Sequence, residues 1–184
     1  METPLHPTTL VPQLAAKMRA ANLNWEHSTE WTKVLKNSLR QLLESEGTNV
    51  IEALFSSREL DRHEFLLDLV IWDRQDGEGV SLAVESEWSQ NIEEVAADFW
   101  KLLVVKAPIK LMIFACNSKP KRFSQEAIWA KLSECLLLFR DHIKGETYVF
   151  MDYAPQPGRK AWWIEVPQDG KLTAVPERQF VDFE

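Results

Sequence analysis

Two apolar runs, EFLLDLVIWD (64–73) and GVSLAVESEW (79–88), lie on either side of a stretch containing Asp76 and Gly77. Runs of this length, rich in Leu, Val and Ile and joined through Asp-Gly, read as a β-hairpin. A two-residue Asp76-Gly77 turn pairs residues whose numbers sum to 153, so Asp68 faces Glu85 and Phe65 faces Trp88. One face then holds Phe65, Leu67, Leu69 and Ile71 opposite Trp88, Ser86, Val84 and Leu82. The other holds Leu66, Asp68, Val70 and Trp72 opposite Glu87, Glu85, Ala83 and Ser81, so three carboxylates fall on one face.

Directly opposed residues in an antiparallel pair hold their Cβ atoms about 4.5–5.5 Å apart, and like charges placed so are destabilising. Glu87 follows Glu85 by two residues, about 6–7 Å along the same face. Three carboxylates this close in apolar strands cost several kcal/mol unless a positive charge sits among them. A divalent cation, Mg or Mn, meets that need with carboxylate oxygens and completes its shell with water or phosphate oxygens.

The rest of the chain alternates between helical and strand periods. Residues 1–24 contain Pro4, Pro7 and Pro12 and read as an N-terminal arm with one short helix near 13–21, leaving 25–184 as a single domain. Trp31, Val34, Leu35, Leu39 and Leu42 mark an amphipathic helix from Ser28 to Gly47, whereas 48–60 fits a short helix or an edge strand equally. Ile92, Val95, Ala96, Phe99, Leu102 and Leu103 form a second stripe, within 91–106. IKLMIFAC (109–116) reads as a buried strand, 124–144 as a helix, and TYVFMDYA and AWWIEV as further strands. The expected class is α/β, a mixed central sheet with helices on both faces.

At this point the residues resemble the restriction-endonuclease-like, or PD-(D/E)xK, nuclease superfamily. The resemblance lies in Asp68, then Glu85-x-Glu87 after a hairpin, then a helix and a buried strand, and it covers about 26–116. It implies a restriction-endonuclease-like fold and a Mg-dependent (or Mn-dependent) nuclease, with Asp68 and Glu85 as metal ligands. The position that usually holds Lys is Glu87, a replacement that some active restriction enzymes share; Glu87 would hold metal or orient the attacking water. Other members take the lysine from the following helix, where DFWKLL offers Lys101. Helical projection instead sets Lys106 on the apolar stripe, so both lysines stay open. An acid from the first core helix often joins the site, with Glu30, Glu44 and Glu46 as candidates. The alternative is a nuclease-like fold that no longer cuts and serves as a nucleic-acid or protein interaction module.

Charge bears on the partner. The chain carries 21 basic and 28 acidic residues, a net of -7, which on its face argues against nucleic acid. The charge is segregated, however: 59–98 holds twelve acids against Arg62 and Arg74, whereas 99–125 holds Lys101, Lys106, Lys110, Lys119, Lys121 and Arg122 and no acid. The basic block suits phosphate, with NSKPKR (117–122) as a loop at a strand end. The expected partner is nucleic acid, DNA before RNA, gripped locally and in a salt-sensitive way.

Other chemistries find little support. His6, His27, His63 and His142 lack zinc-site spacing, and no glycine-rich nucleotide loop occurs. Trp31, Trp72, Trp88 and Trp129 sit in core patterns; of adjacent Trp162 and Trp163, one should point outward, to stack on a base or form a homodimer contact. Cys116 and Cys135 lie in apolar runs and read as buried thiols. With neither a secretory leader nor an apolar run of about 18 residues, the expectation is a cytoplasmic protein without membrane association.

Overall fold

The computed structural model describes residues 5–21, 28–45, 67–73, 79–116, 123–153 and 159–183. Four helices and six strands appear among them: α1 (Pro7–Ala20), α2 (Ser28–Ser45), β1 (Leu69–Asp73), β2 (Gly79–Glu87), α3 (Ile92–Val104), β3 (Ile109–Phe114), α4 (Gln125–Leu138), β4 (Thr147–Asp152), β5 (Lys160–Glu165) and β6 (Gln179–Val181). The strands form one mixed sheet in chain order, with β2, β3 and β4 parallel at its centre and antiparallel pairs at both edges. The architecture is therefore α/β, a six-stranded mixed sheet flanked by helices.

Alternation along the strands builds two cores. Leu69, Ile71, Leu82, Val84, Leu111, Ile113, Val149 and Met151 pack with α1 and α2. Ala83, Met112, Phe114, Tyr148, Phe150 and Trp162 pack with α3 and α4. α3 and α4 join the parallel strands and cover the same face, so all three strand carboxyl ends point to one edge of the sheet, where open α/β sheets bind ligands.

The hairpin register follows the sum of 153 through Leu69↔Val84, Val70↔Ala83 and Ile71↔Leu82, then shifts by one at Trp72↔Val80. The irregularity lies at the turn end and leaves the carboxylate end in register; Asp76 and Gly77 themselves lie outside the described residues. Apolar alternation fixes this register, because a one-residue slip at the carboxylate end would turn Leu82 and Val84 out of their core.

Four features differ from the sequence expectation. The segment expected as an arm carries a full helix with Leu10, Val11, Leu14, Ala15 and Met18 in the core. Pro7 occupies its first turn, where an N–H is not needed, and His6 caps it by accepting from the Thr8 N–H. Because α1 covers that side of the sheet, neither Trp162 nor Trp163 faces outward: Trp163 meets the His6 ring edge-on at 5.5 Å and Trp162 meets Trp129 of α4. A sixth strand, unforeseen, pairs with β5.

The fourth difference is that α4 ends at Leu138, six residues early, and Phe139 turns extended. The chain folds back so that the His142 Nε2 lies 3.0 Å from the Leu136 carbonyl, while its Nδ1 lies 2.9 Å from Glu146 Oε1. Lys110 joins the same buried group: its Nζ is 2.7 Å from Glu146 Oε2 and donates to Tyr148 Oη and the Leu103 carbonyl. Lys110, expected among the phosphate-facing cations, is thus committed inside the fold. A lysine in a strand covered on both faces needs a buried acid, and Glu146 supplies it.

Candidate functional site

Glu85 and Glu87 lie near the carboxyl end of β2, on the face covered by α3. Extending the β1–β2 register by one residue sets Asp68 against Glu85, and the Asp68 N–H donates to the Glu85 carboxyl. The Asp68 side chain turns toward α2 instead of following strand alternation. Its Oδ2 accepts from Ser86 N at 2.9 Å and from Ser86 Oγ at 2.7 Å. A side-chain oxygen thus takes over the ladder at the start of β1. Leu67 correspondingly packs with the α3 and α4 core, not with Leu69 as the alternation implied. The expectation of three carboxylates on one face is corrected here: Asp68 reaches the end of β2 from the α2 side.

A directed hydrogen-bond chain fixes Asp68. Trp88 Nε1 donates to Thr32 Oγ1 at 3.0 Å, and Thr32 Oγ1 lies 3.3 Å from Ser86 Oγ. Because the Ser86 hydroxyl proton goes to Asp68, Thr32 must donate to Ser86. One turn along α2 from Thr32, Lys36 Nζ lies 3.9 Å from Asp68 Oδ1. Neither Lys36 nor Thr32 was singled out from the sequence, because periodicity does not distinguish one polar residue of a helix from another.

Glu85 is 2% exposed, and among the described residues no hydrogen-bond donor reaches its Oε1. Burial, followed by the charge of Asp68, pushes its carboxyl up from the ordinary 4.5 to about 9, against the pull of Lys101. An unsatisfied buried acceptor costs about 1–3 kcal/mol. The group is short of a positive partner.

Lys101 is the nearer of the two candidate lysines. Its Nζ lies 2.7 Å from Asp98 Oδ1 and 3.7 Å from Glu85 Oε1, whereas Lys106 is exposed beyond the end of α3. Projection around the helix hid this because side chains lean toward the helix N-terminus, and the long stem carries the ammonium back past Asp98 to β2. Burial opposes its charge, but the Asp98 bond and the charge of Glu85 outweigh it and raise Lys101 above the ordinary lysine value.

Glu87 completes the group. Its Oε1 accepts from Ser89 N at 2.6 Å. Burial raises its carboxyl, and a hydrogen bond shared with Asp98 adds to the rise. Asp98, the first residue of DFWKLL and not singled out from the sequence, therefore contacts both Lys101 and Glu87. Glu30 is exposed on α2; the side chains of Glu44 and Glu46, His63 and the loop 117–122 with Lys119, Lys121 and Arg122 lie outside the described residues.

Among the described residues no three His, Cys, Asp or Glu side chains converge as a metal-binding group. Asp68 and Glu85 are the residues that could hold a hard cation, since magnesium is commonly held by one or two carboxylates with the rest of its shell from water and phosphate. The observation in favour is the buried Glu85 oxygen that accepts no hydrogen bond among the described residues. No helix among the described residues is long and apolar enough to cross a membrane, and both cysteines are free thiols. No family model, curated protein or solved structure matches the chain.

Proposed function

We propose that the chain is a metal-dependent phosphodiester hydrolase of restriction-endonuclease-like type acting on nucleic acid, DNA in the first instance. The observation that carries this reading is Glu85: a buried carboxylate beside Asp68, with an oxygen lacking a donor and the Lys101 ammonium 3.7 Å away. The order of elements supports it, with α2, the β1–β2 hairpin, α3 and parallel β3 arranged around the acids.

In this reading Asp68 and Glu85 would hold Mg or Mn, which when bound would polarise the phosphate and favour ionisation of an attacking water. Asp68 is fixed as an acceptor by the two bonds from Ser86. Glu87, braced by the Ser89 N–H, orients the water in line with the scissile P–O bond. Water adds to phosphorus through oxygen, the P–O bond to the leaving alcohol breaks, and the proton lost by the water is returned to that alcohol through solvent. Lys101 stabilises the charge gathering on the phosphate oxygens, held by Asp98 so that little reorganisation is needed.

Glu85→Ala tests the assignment. The variant should fold and lose Mg- or Mn-dependent cleavage of DNA by at least about a hundredfold. Cleavage equal to wild type would overturn it, and a wild-type chain that binds DNA without cutting would make this a binding module.

A further inference from the structure

We propose that Lys36 is a second phosphate-binding residue of this site, reaching it from the layer opposite Lys101. The inference rests on the phosphodiester reading above and concerns a residue outside the superfamily motif. Lys36 stands on α2 and Lys101 on α3, so two ammonium groups approach the Asp68–Glu85 pair from opposite sides of the sheet.

Lys36 has the properties of a ligand-facing cation rather than a structural one. Its Nζ lies at 3.9 Å from Asp68 Oδ1, beyond hydrogen-bond distance, and its side chain is 25% exposed. Asp68 already receives two hydrogen bonds from Ser86 and does not need Lys36 to be held. Thr32, one turn earlier, is fixed between Trp88 Nε1 and Ser86 Oγ, so the helix cannot rotate Lys36 away from the site. The ammonium is therefore aimed at Asp68 by the backbone, and among the described residues it makes no hydrogen bond.

A phosphate entering beside Asp68 and Glu85 meets like charge, and Lys101 is already tied to Asp98 at 2.7 Å. Lys36 supplies the missing attraction. Its contribution is made equally in the ground state and the transition state, so it belongs in KM, whereas Lys101 belongs in kcat.

The test compares wild type, Lys36→Ala, Lys36→Arg and Lys33→Ala, the last removing an exposed cation from the same helix. Binding of a fluorescent DNA duplex is measured with Ca from 50 to 200 mM salt, and cleavage with Mg. Lys36→Ala should weaken binding about tenfold and reduce the salt slope by about one, with KM raised and kcat within about threefold of wild type. Lys36→Arg should restore the slope, and Lys33→Ala should stay within about twofold of wild type. Unchanged slope and KM in Lys36→Ala, with or without a change in Tm, would overturn the proposal, as would a wild-type chain that binds no duplex. If wild type binds but does not cut, the nuclease reading fails while the slopes still decide the role of Lys36.

Discussion

Two charge clusters, each built on a buried glutamate, sit at opposite ends of the parallel strands, and they are finished differently. At the amino ends, Lys110, Glu146, Tyr148 and His142 share short contacts: 2.7 Å from Lys110 Nζ to Glu146 Oε2, which is paired by charge although it accepts no hydrogen bond, 2.6 Å from the Tyr148 hydroxyl to Glu146 Oε1, and 3.0 Å from His142 to the Leu136 carbonyl. Lys110 and His142 also place donors on carbonyls in the last turns of α3 and α4, where the helix dipole favours positive charge. At the carboxyl ends, Lys101 meets Asp98 and Glu85 from the α3 side and Lys36 meets Asp68 from the α2 side; Glu85 Oε1 accepts no hydrogen bond, and its ion-pair partner stands 3.7 Å away where that of Glu146 Oε2 stands at 2.7 Å. Burial of charge does not by itself separate the two clusters; the distance at which opposite charge is supplied does.

The contrast extends to pH. Burial pushes Glu146 up, but the bonds from His142, Lys110 and Tyr148 outweigh it and hold the carboxyl below its ordinary 4.5. Its contribution is present above the unfolded value and is lost as pH falls through the folded one. Glu85 runs the other way. Its folded value of about 9 exceeds the ordinary 4.5, so the folded chain keeps a proton that the unfolded chain releases between those limits. Stability from this group is complete below 4.5 and disappears as pH rises toward 9.

The largest expected effect comes from breaking the finished cluster. Lys110→Met takes the ammonium from the buried Glu146 carboxylate, leaving it the contacts of His142 and Tyr148 alone, and should cost about 3 kcal/mol, read by urea unfolding at pH 7. Metal-dependent stabilisation of the remaining folded protein should persist. A loss under about 1 kcal/mol would mean that Lys110 is not the partner that compensates Glu146.

Removing the charge from the unfinished cluster should do the reverse. Glu85→Gln should stabilise the metal-free protein by on the order of 2–3 kcal/mol at pH 8, within the ceiling of about 5 kcal/mol set by linkage, and change little at pH 4. Unfolding curves across that range check the sign. A variant less stable than wild type at pH 8 would show Glu85 to be well compensated, and the comparison would collapse.

Much of the unfinished cluster was legible in the sequence, because a carboxylate inside an apolar strand stands out against its neighbours. The register at Leu69↔Val84 follows from alternation, and Lys101 was offered by its place in DFWKLL, with Lys106 kept open beside it. What escaped was whatever depends on the third dimension. Asp68 left its expected face because the end of β1 needed an acceptor for Ser86 N. Lys110 read as a phosphate-facing cation because its partner, Glu146, is 36 residues away in sequence and adjacent only once β3 and β4 pair. The prolines at 7 and 12 suggested an arm, although Pro7 is compatible with a helix start and α1 goes on to cover Trp163.

The central claim is that the Asp68–Glu85 end of the sheet lacks a cation that the Lys110–Glu146 end already has. Thermal unfolding of wild type and Glu85→Gln at pH 7.5, with and without Mn at about ten times its Kd, tests it most directly. Binding to the native state alone contributes about 1.4 kcal/mol at that ratio, or about 3–6 °C for a chain of this size. The account predicts that rise in wild type and under about 1 °C in Glu85→Gln. An equal shift in both proteins, or none in wild type at any millimolar Mn concentration, would contradict it.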